Sequence, residues 1–190
     1  MPIDKSIDYS AITPEIKALT KLCLADNVIE PEMYVKYAVN RGLRDLNGNG
    51  VLTGLTEISE IQSSKMVDGE KVPCEGKLFY RGVDVEQIVS GFIREKRYGF
   101  EETVYLLLFG ALPDEAQLDD FKKLLAGYRS LPTNFVRDVI LKAPNADMMN
   151  TLARSVLTLY SYDARATDNS TENVLRQCLQ LIALFPMLSV

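Results

Sequence analysis

Arg44 closes a Gly42-Leu43-Arg44 run at the head of a loop-forming stretch, residues 42–54, that holds four glycines and two asparagines. A guanidinium matches phosphate geometry, which makes Arg44 a candidate anion binder; the alternative is a solvated surface arginine. In the same stretch Asp45, Asn47, Asn49 and Gly50, with Leu52 two places on, match the opening of an EF-hand calcium loop. The twelfth position of such a loop needs a bidentate glutamate. It holds Thr56, with Glu57 one residue late, so no metal site is expected. Gly48 and Gly50 lack the third glycine of a dinucleotide fingerprint, and no Gly-Lys-Ser/Thr run exists for a phosphate loop. The carboxylate pairs Glu101/Glu102, Asp114/Glu115 and Asp119/Asp120 fall in the first turns of expected helices, where the helix dipole accounts for them without an acid-base role. Histidine is absent from all 190 residues. That excludes Ser-His-Asp and Cys-His nucleophile arrangements and His-based metal sites within this sequence, and leaves carboxylates, lysine, tyrosine or thiol as the groups from which an acid, base or nucleophile would have to be built.

Composition narrows the partners. A chain that is 47% hydrophobic and 25% charged can bury a sizeable core, and its length fits one domain or at most two. The formal net charge of −5 offers no footprint for nucleic acid or anionic membrane; the one basic cluster, residues 94–97, is interrupted by Glu95. Cys23, Cys74 and Cys178 are an odd, widely spaced set, which fits reduced structural thiols in the cytoplasm. The polar, acidic N-terminus does not read as a signal peptide, and no apolar run approaches the ~20 residues of a membrane span.

The elements that must position these groups are mostly helices. Thr13-Pro14 is an N-cap followed by proline at the first helical position, and Ile16, Leu19, Leu22 and Cys23 continue the spacing as far as residue 27. A second short helix is expected over 31–39. Alternation over 57–61 and 77–80, with an Asp68-Gly69 turn and Arg81-Gly82 after it, predicts a small hairpin sheet. Further helices are expected over 84–96, 100–109, from Pro113 onward, over 147–160 and from about Ser170. The helix over 147–160 carries a broad stripe of Met149, Leu152, Ala153, Val156, Leu157 and Tyr160, preceded by Phe135, Val139 and Ile140, which is wide enough for a partner helix. Residues 179–190 end the sequence on apolar side chains without a capping glycine, which predicts a second sticky surface and a truncated chain.

Taken in order, Gly42-Leu43-Arg44, then residues 50–59, then Leu78-Phe79-Tyr80-Arg81-Gly82, then a Glu-x-x-x-x-Leu-Leu-x-Gly-x-x-Pro pattern ending at Pro113 make residues 41–190 resemble the citrate synthase family. The resemblance implies a mainly α fold: a multi-helical large-domain fragment with a small N-terminal β-hairpin sheet, residues 41–190 being the N-terminal portion of that large domain and residues 1–40 a helical extension. It implies condensation of acetyl-CoA with oxaloacetate to citrate and CoA in the tricarboxylic acid cycle, with acetyl-CoA as substrate and no covalently bound cofactor. In the family, two histidines and an aspartate form the enol and polarise the ketone, and all match positions beyond Val190, so this chain alone is expected to be inactive. Arg44 is the residue that matches a family position able to reach CoA phosphates. The family's packed-helix interface implies a homodimer. A 2-methylcitrate synthase acting on propionyl-CoA, and a non-catalytic helical dimerisation module, are the alternatives.

Overall fold

A computed structural model describes residues 8–40, 42–44, 51 and 53–189. Its described elements are mainly helical, with one three-stranded antiparallel sheet ordered β1-β2-β3. The helices are α1 (Pro14–Asp26), α2 (Pro31–Lys36), α3 (Val85–Arg94), α4 (Phe100–Phe109), α5 (Glu115–Tyr128), α6 (Met148–Tyr160) and α7 (Thr171–Ser189), with a π-helix at Val136–Leu141. The strands are β1 (Ser59–Val67), β2 (Glu70–Tyr80) and β3 (Val83–Asp84).

The helix starts obey capping chemistry. Thr13 Oγ1 accepts from the Ile16 amide at 3.4 Å, Asp84 from Glu86 at 2.9 Å and Asp147 from Asn150 at 3.0 Å, so each oxygen satisfies one of the orphan first-turn donors. The helix expected to begin at Pro113 begins instead at Glu115. The reason is a reciprocal cap: the Asp114 carboxylate accepts from the Gln117 amide at 2.8 Å while the Gln117 side chain accepts from the Asp114 amide at 2.9 Å. Both hairpins close on two-residue loops with two consecutive positive φ values, Asp68 (51°) with Gly69 (85°) and Arg81 (49°) with Gly82 (78°). This turn matches the right-handed twist of the strands it joins, and it lets β1 and β2 run further through polar residues than alternation alone implied.

Packing divides the chain into two compact units, residues 22–118 and residues 1–21 with 119–190. In the first, Ile88, Tyr105, Leu106 and Phe109 are buried, and the Tyr105 and Phe109 rings meet edge to face with centroids 4.7 Å apart. In the second, Phe135, Leu184 and Leu188 form a buried cluster against which Leu131, Val139, Ile140, Leu152 and Leu159 pack. The stripe of Phe135, Val139 and Ile140 therefore belongs to this core rather than to a partner surface. The same holds for much of the apolar C-terminal run: Leu179, Ala183, Leu184 and Leu188 are buried, and Phe185 and Met187 keep partial exposure. A 19-residue helix brings one face to the core at every turn, so apolar composition alone overstated the exposed surface there.

Candidate functional site

Three arginines organise the polar chemistry, and each sits within one unit. In the 22–118 unit the Arg81-Gly82 turn aims the Arg81 guanidinium at two helix C-termini. Nε and Nη2 donate to the Leu107 carbonyl at 3.2 and 3.1 Å, Nη1 to the Asp26 carbonyl at 3.4 Å, and Nη2 also to the Asn27 side-chain oxygen. Asn27 Nδ2 in turn donates to the carbonyls of Cys23 (2.7 Å) and Leu108 (3.2 Å). Carbonyls at the ends of α1 and α4, which have no intrahelical donors, are satisfied by one cation and one amide. The close approach requires Gly110, the left-handed cap of α4, where a Cβ would lie 2.9 Å from Asp26 Cβ at φ 83°. Gly110→Ala is expected to lower stability by about 2 kcal/mol, from the left-handed backbone penalty plus this contact, read as a lower urea midpoint at unchanged slope.

The second unit holds a buried ion pair. Arg176 is fully buried on α7, and its Nη2 lies 2.6 Å from Asp163 Oδ2. The remaining donors are matched by Asn173 Oδ1 (2.7 and 3.0 Å), Gln180 Oε1 (2.8 Å) and the Tyr9 carbonyl. Asp163 also accepts from Ser10 Oγ (2.9 Å), the Arg165 amide (2.9 Å) and Gln177 Nε2 (3.0 Å). Burial pushes the Asp163 carboxyl up, but the hydrogen bonds from Gln177, Arg176, Arg165 and Ser10 outweigh it and bring it down to about 2. Beside this knot lies a cavity of about 230 Å³, walled largely by α6 and α7. The third arginine, Arg154 on α6, donates from Nη2 to the carbonyls of Val139 (3.3 Å) and Ala143 (2.7 Å), closing the end of the π-helix. These arrangements hold backbone and charge in place, their acceptors being main-chain carbonyls, side-chain amides and the Asp163 carboxylate.

Arg44 is exposed, in an isolated bridge position next to Leu43, whose carbonyl accepts from the Val51 amide at 3.4 Å. The Asp45, Asn47, Asn49 and Gly50 motif lies outside the described residues, while Thr56 Oγ1 accepts from the Ile58 amide at 3.1 Å. Members of the carboxylate pairs have local roles: Asp114 caps α5, Glu102 pairs with Arg97 (3.1 Å) and Asp120 with Lys123 (3.1 Å). Among the described residues no group of three or more His, Cys, Asp or Glu side chains is placed to hold a metal. Neither Arg176 nor Asp163 stands out in the sequence, where the local signal is a lone arginine inside the apolar repeat of Leu175 and Leu179.

On α6 the expected apolar stripe splits in two. Leu152 and Leu159 pack on the core and Val156 lines the cavity, whereas Met149, Ala153 and Leu157 are exposed, Met149 by 75% and Leu157 by 73%; Tyr160 is exposed and also borders the cavity. The outward face is grooved, about 510 Å³ of space being lined by Asn150, Ala153, Arg154, Leu157, Thr158 and Ser161. No described helix is long and apolar enough to cross a membrane.

The family model described as citrate synthase, C-terminal domain, matches residues 45–190. The chain belongs to the citrate synthase family. A citrate synthase of Saccharolobus solfataricus is 33% identical over 107 residues, 56% of this chain and 26% of that protein. A 2-methylcitrate synthase of Corynebacterium glutamicum is 30% identical over 140 residues, 73% of this chain and 32% of that protein. The crystal structure of a citrate synthase from Pyrobaculum aerophilum superposes with a TM-score of 0.56 at 26% identity, covering 77% of this chain and 36% of that one. The mainly α architecture with a small sheet is thus that of the citrate synthase fold, and the chain spans about a third or less of the length of these relatives.

Proposed function

We propose that this chain is the helical frame of a cytoplasmic citrate synthase that condenses acetyl-CoA with oxaloacetate to citrate and CoA. Residues 41–190 are the N-terminal portion of its large domain and residues 1–40 a helical extension. The observation that carries this reading is the family match over residues 45–190. The frame makes a homodimer through the outward face of α6, contributes Arg44 to the phosphates of CoA, and takes no catalytic step itself, because its sequence holds no histidine for enolisation or ketone polarisation. Small carboxylates and thioesters are its substrates; the net charge of −5 supports no nucleic-acid or membrane partner.

A second reading is condensation of propionyl-CoA to 2-methylcitrate, favoured by the relative from Corynebacterium glutamicum, whose match covers 73% of the chain. The two differ in acyl selectivity. The whole gene product, given oxaloacetate with acetyl-CoA or propionyl-CoA and followed by thiol titration, is expected to release CoA faster from acetyl-CoA. Preference for propionyl-CoA supports the second reading. Release from neither contradicts both and leaves a helical dimerisation module, for which the exposed α6 face is the supporting feature.

A further inference from the structure

We infer that the cavity between α6 and α7 is a binding site for a small neutral aromatic alcohol, of the size of a short-chain alkylphenol. Its apolar lining comes from two helix faces: Val156 and Leu159 on α6, Leu181 and Leu184 on α7. Leu184 is 4% exposed and belongs to the core cluster, whereas Tyr160 and Tyr162, which also border the space, are 56% and 37% exposed. The cavity therefore runs from the core to the surface. The Tyr162 ring is braced edge to face against the buried Phe135, with centroids 6.3 Å apart, so part of its border is fixed in place.

The polar lining decides the ligand's head group. Asp163, Gln177 and Gln180 gather around Arg176, and most of their hydrogen-bonding capacity is spent within that cluster. Each Asp163 oxygen accepts two donors: Oδ1 from Ser10 Oγ and the Arg165 amide, Oδ2 from Arg176 Nη2 and Gln177 Nε2. Gln177 Nε2 also reaches the Ala166 carbonyl at 3.4 Å, while Gln180 accepts from Arg176 and donates once to the Tyr9 carbonyl, each at 2.8 Å. Among the described residues the cluster leaves one acceptor and one donor unspent, the Gln177 side-chain oxygen and the second N–H of Gln180, three residues apart on one face of α7. A hydroxyl serves both, whereas a carboxylate cannot donate and an ammonium cannot accept. Either ion would also give up its hydration beside an ion pair that is already neutral. Volume fixes the rest. A dry apolar cavity of roughly 150 Å³ takes a benzene ring, so one of about 230 Å³ takes that ring with a hydroxyl and a short alkyl tail.

Ligand-observed NMR titration of the chain with para-ethylphenol tests this. Two comparison probes isolate the head group: ethylbenzene keeps ring and tail without the hydroxyl, and para-ethylbenzoate carries a charge in its place. The expected result is saturable binding of para-ethylphenol at sub-millimolar concentration, binding of ethylbenzene about fivefold weaker, and none of para-ethylbenzoate over the same range. Filling the cavity with Val156→Phe, or with Ala166→Phe from the loop after α6, is expected to weaken para-ethylphenol binding about tenfold or more, with the helical circular dichroism signal kept. Two variants on different elements keep the test decisive where one side chain is too large for the fold. Absence of saturable para-ethylphenol binding overturns the inference. So does equal or tighter binding of ethylbenzene or para-ethylbenzoate, or undiminished binding in either variant that keeps its helical signal.

Discussion

Asp163→Ala is expected to destabilise the chain by about 3–5 kcal/mol, because it leaves the fully buried Arg176 guanidinium without its counter-charge. For a chain of this size that corresponds to a melting temperature roughly 10 °C lower or more, a large part of the ~5–15 kcal/mol that domains possess. The double variant Asp163→Ala, Arg176→Met is expected to recover part of the loss, since no lone charge then stays buried. The pH dependence has a definite sign. A carboxyl held at about 2 in the folded state binds its proton less readily than in the unfolded chain, where an aspartate titrates near ~3.9. Its stabilisation is fully present above the unfolded value and is lost as pH falls through about 2, so wild type weakens between about pH 5 and 2. The double variant is expected to lose this component of acid sensitivity. Equal acid slopes for the two proteins, measured by urea unfolding, would show that Asp163 is not held by these hydrogen bonds.

The second large effect concerns assembly. Met149, Ala153, Leu157 and Tyr160 form one exposed apolar row on α6, and obligate interfaces of packed helices bury on the order of 2,000 Å² or more of such surface. The chain is expected to elute as a dimer by size-exclusion chromatography with light scattering. Ala153→Arg with Leu157→Asp is expected to convert it to a monomer that keeps its helical content. Val156 is a poor choice for a charge despite sharing the stripe, because it lines the cavity and a carboxylate there would unsettle the fold itself. A dimer that survives both charges would locate association elsewhere.

Much of the architecture was legible because its signals are local. Thr13 with Pro14, Asp84 and Asp147 announce helix starts within three residues, and Asp68-Gly69 announces a hairpin within two. The Arg81 motif was legible as a family mark but not as a clamp, since its acceptors include the main-chain carbonyls of Asp26 and Leu107, which have no sequence signature. The Arg176 knot was illegible for a related reason: its partners Tyr9 and Asp163 are 167 and 13 residues away, and an arginine beside Leu175 reads as the solvated edge of a helix. The π-helix escaped because Phe135, Val139 and Ile140 fit ordinary helical spacing, whereas i→i+5 backbone bonding has no residue signature and the Val139 and Ala143 carbonyls are met by Arg154 from another helix.

The claim that this chain is frame rather than catalyst is tested most directly by assaying the purified 190 residues alone with acetyl-CoA and oxaloacetate, in a preparation shown free of host citrate synthase. CoA release no faster than in buffer is expected, since no histidine is present in these residues to enolise the thioester or polarise the ketone. Release that scales with the concentration of the chain would contradict it.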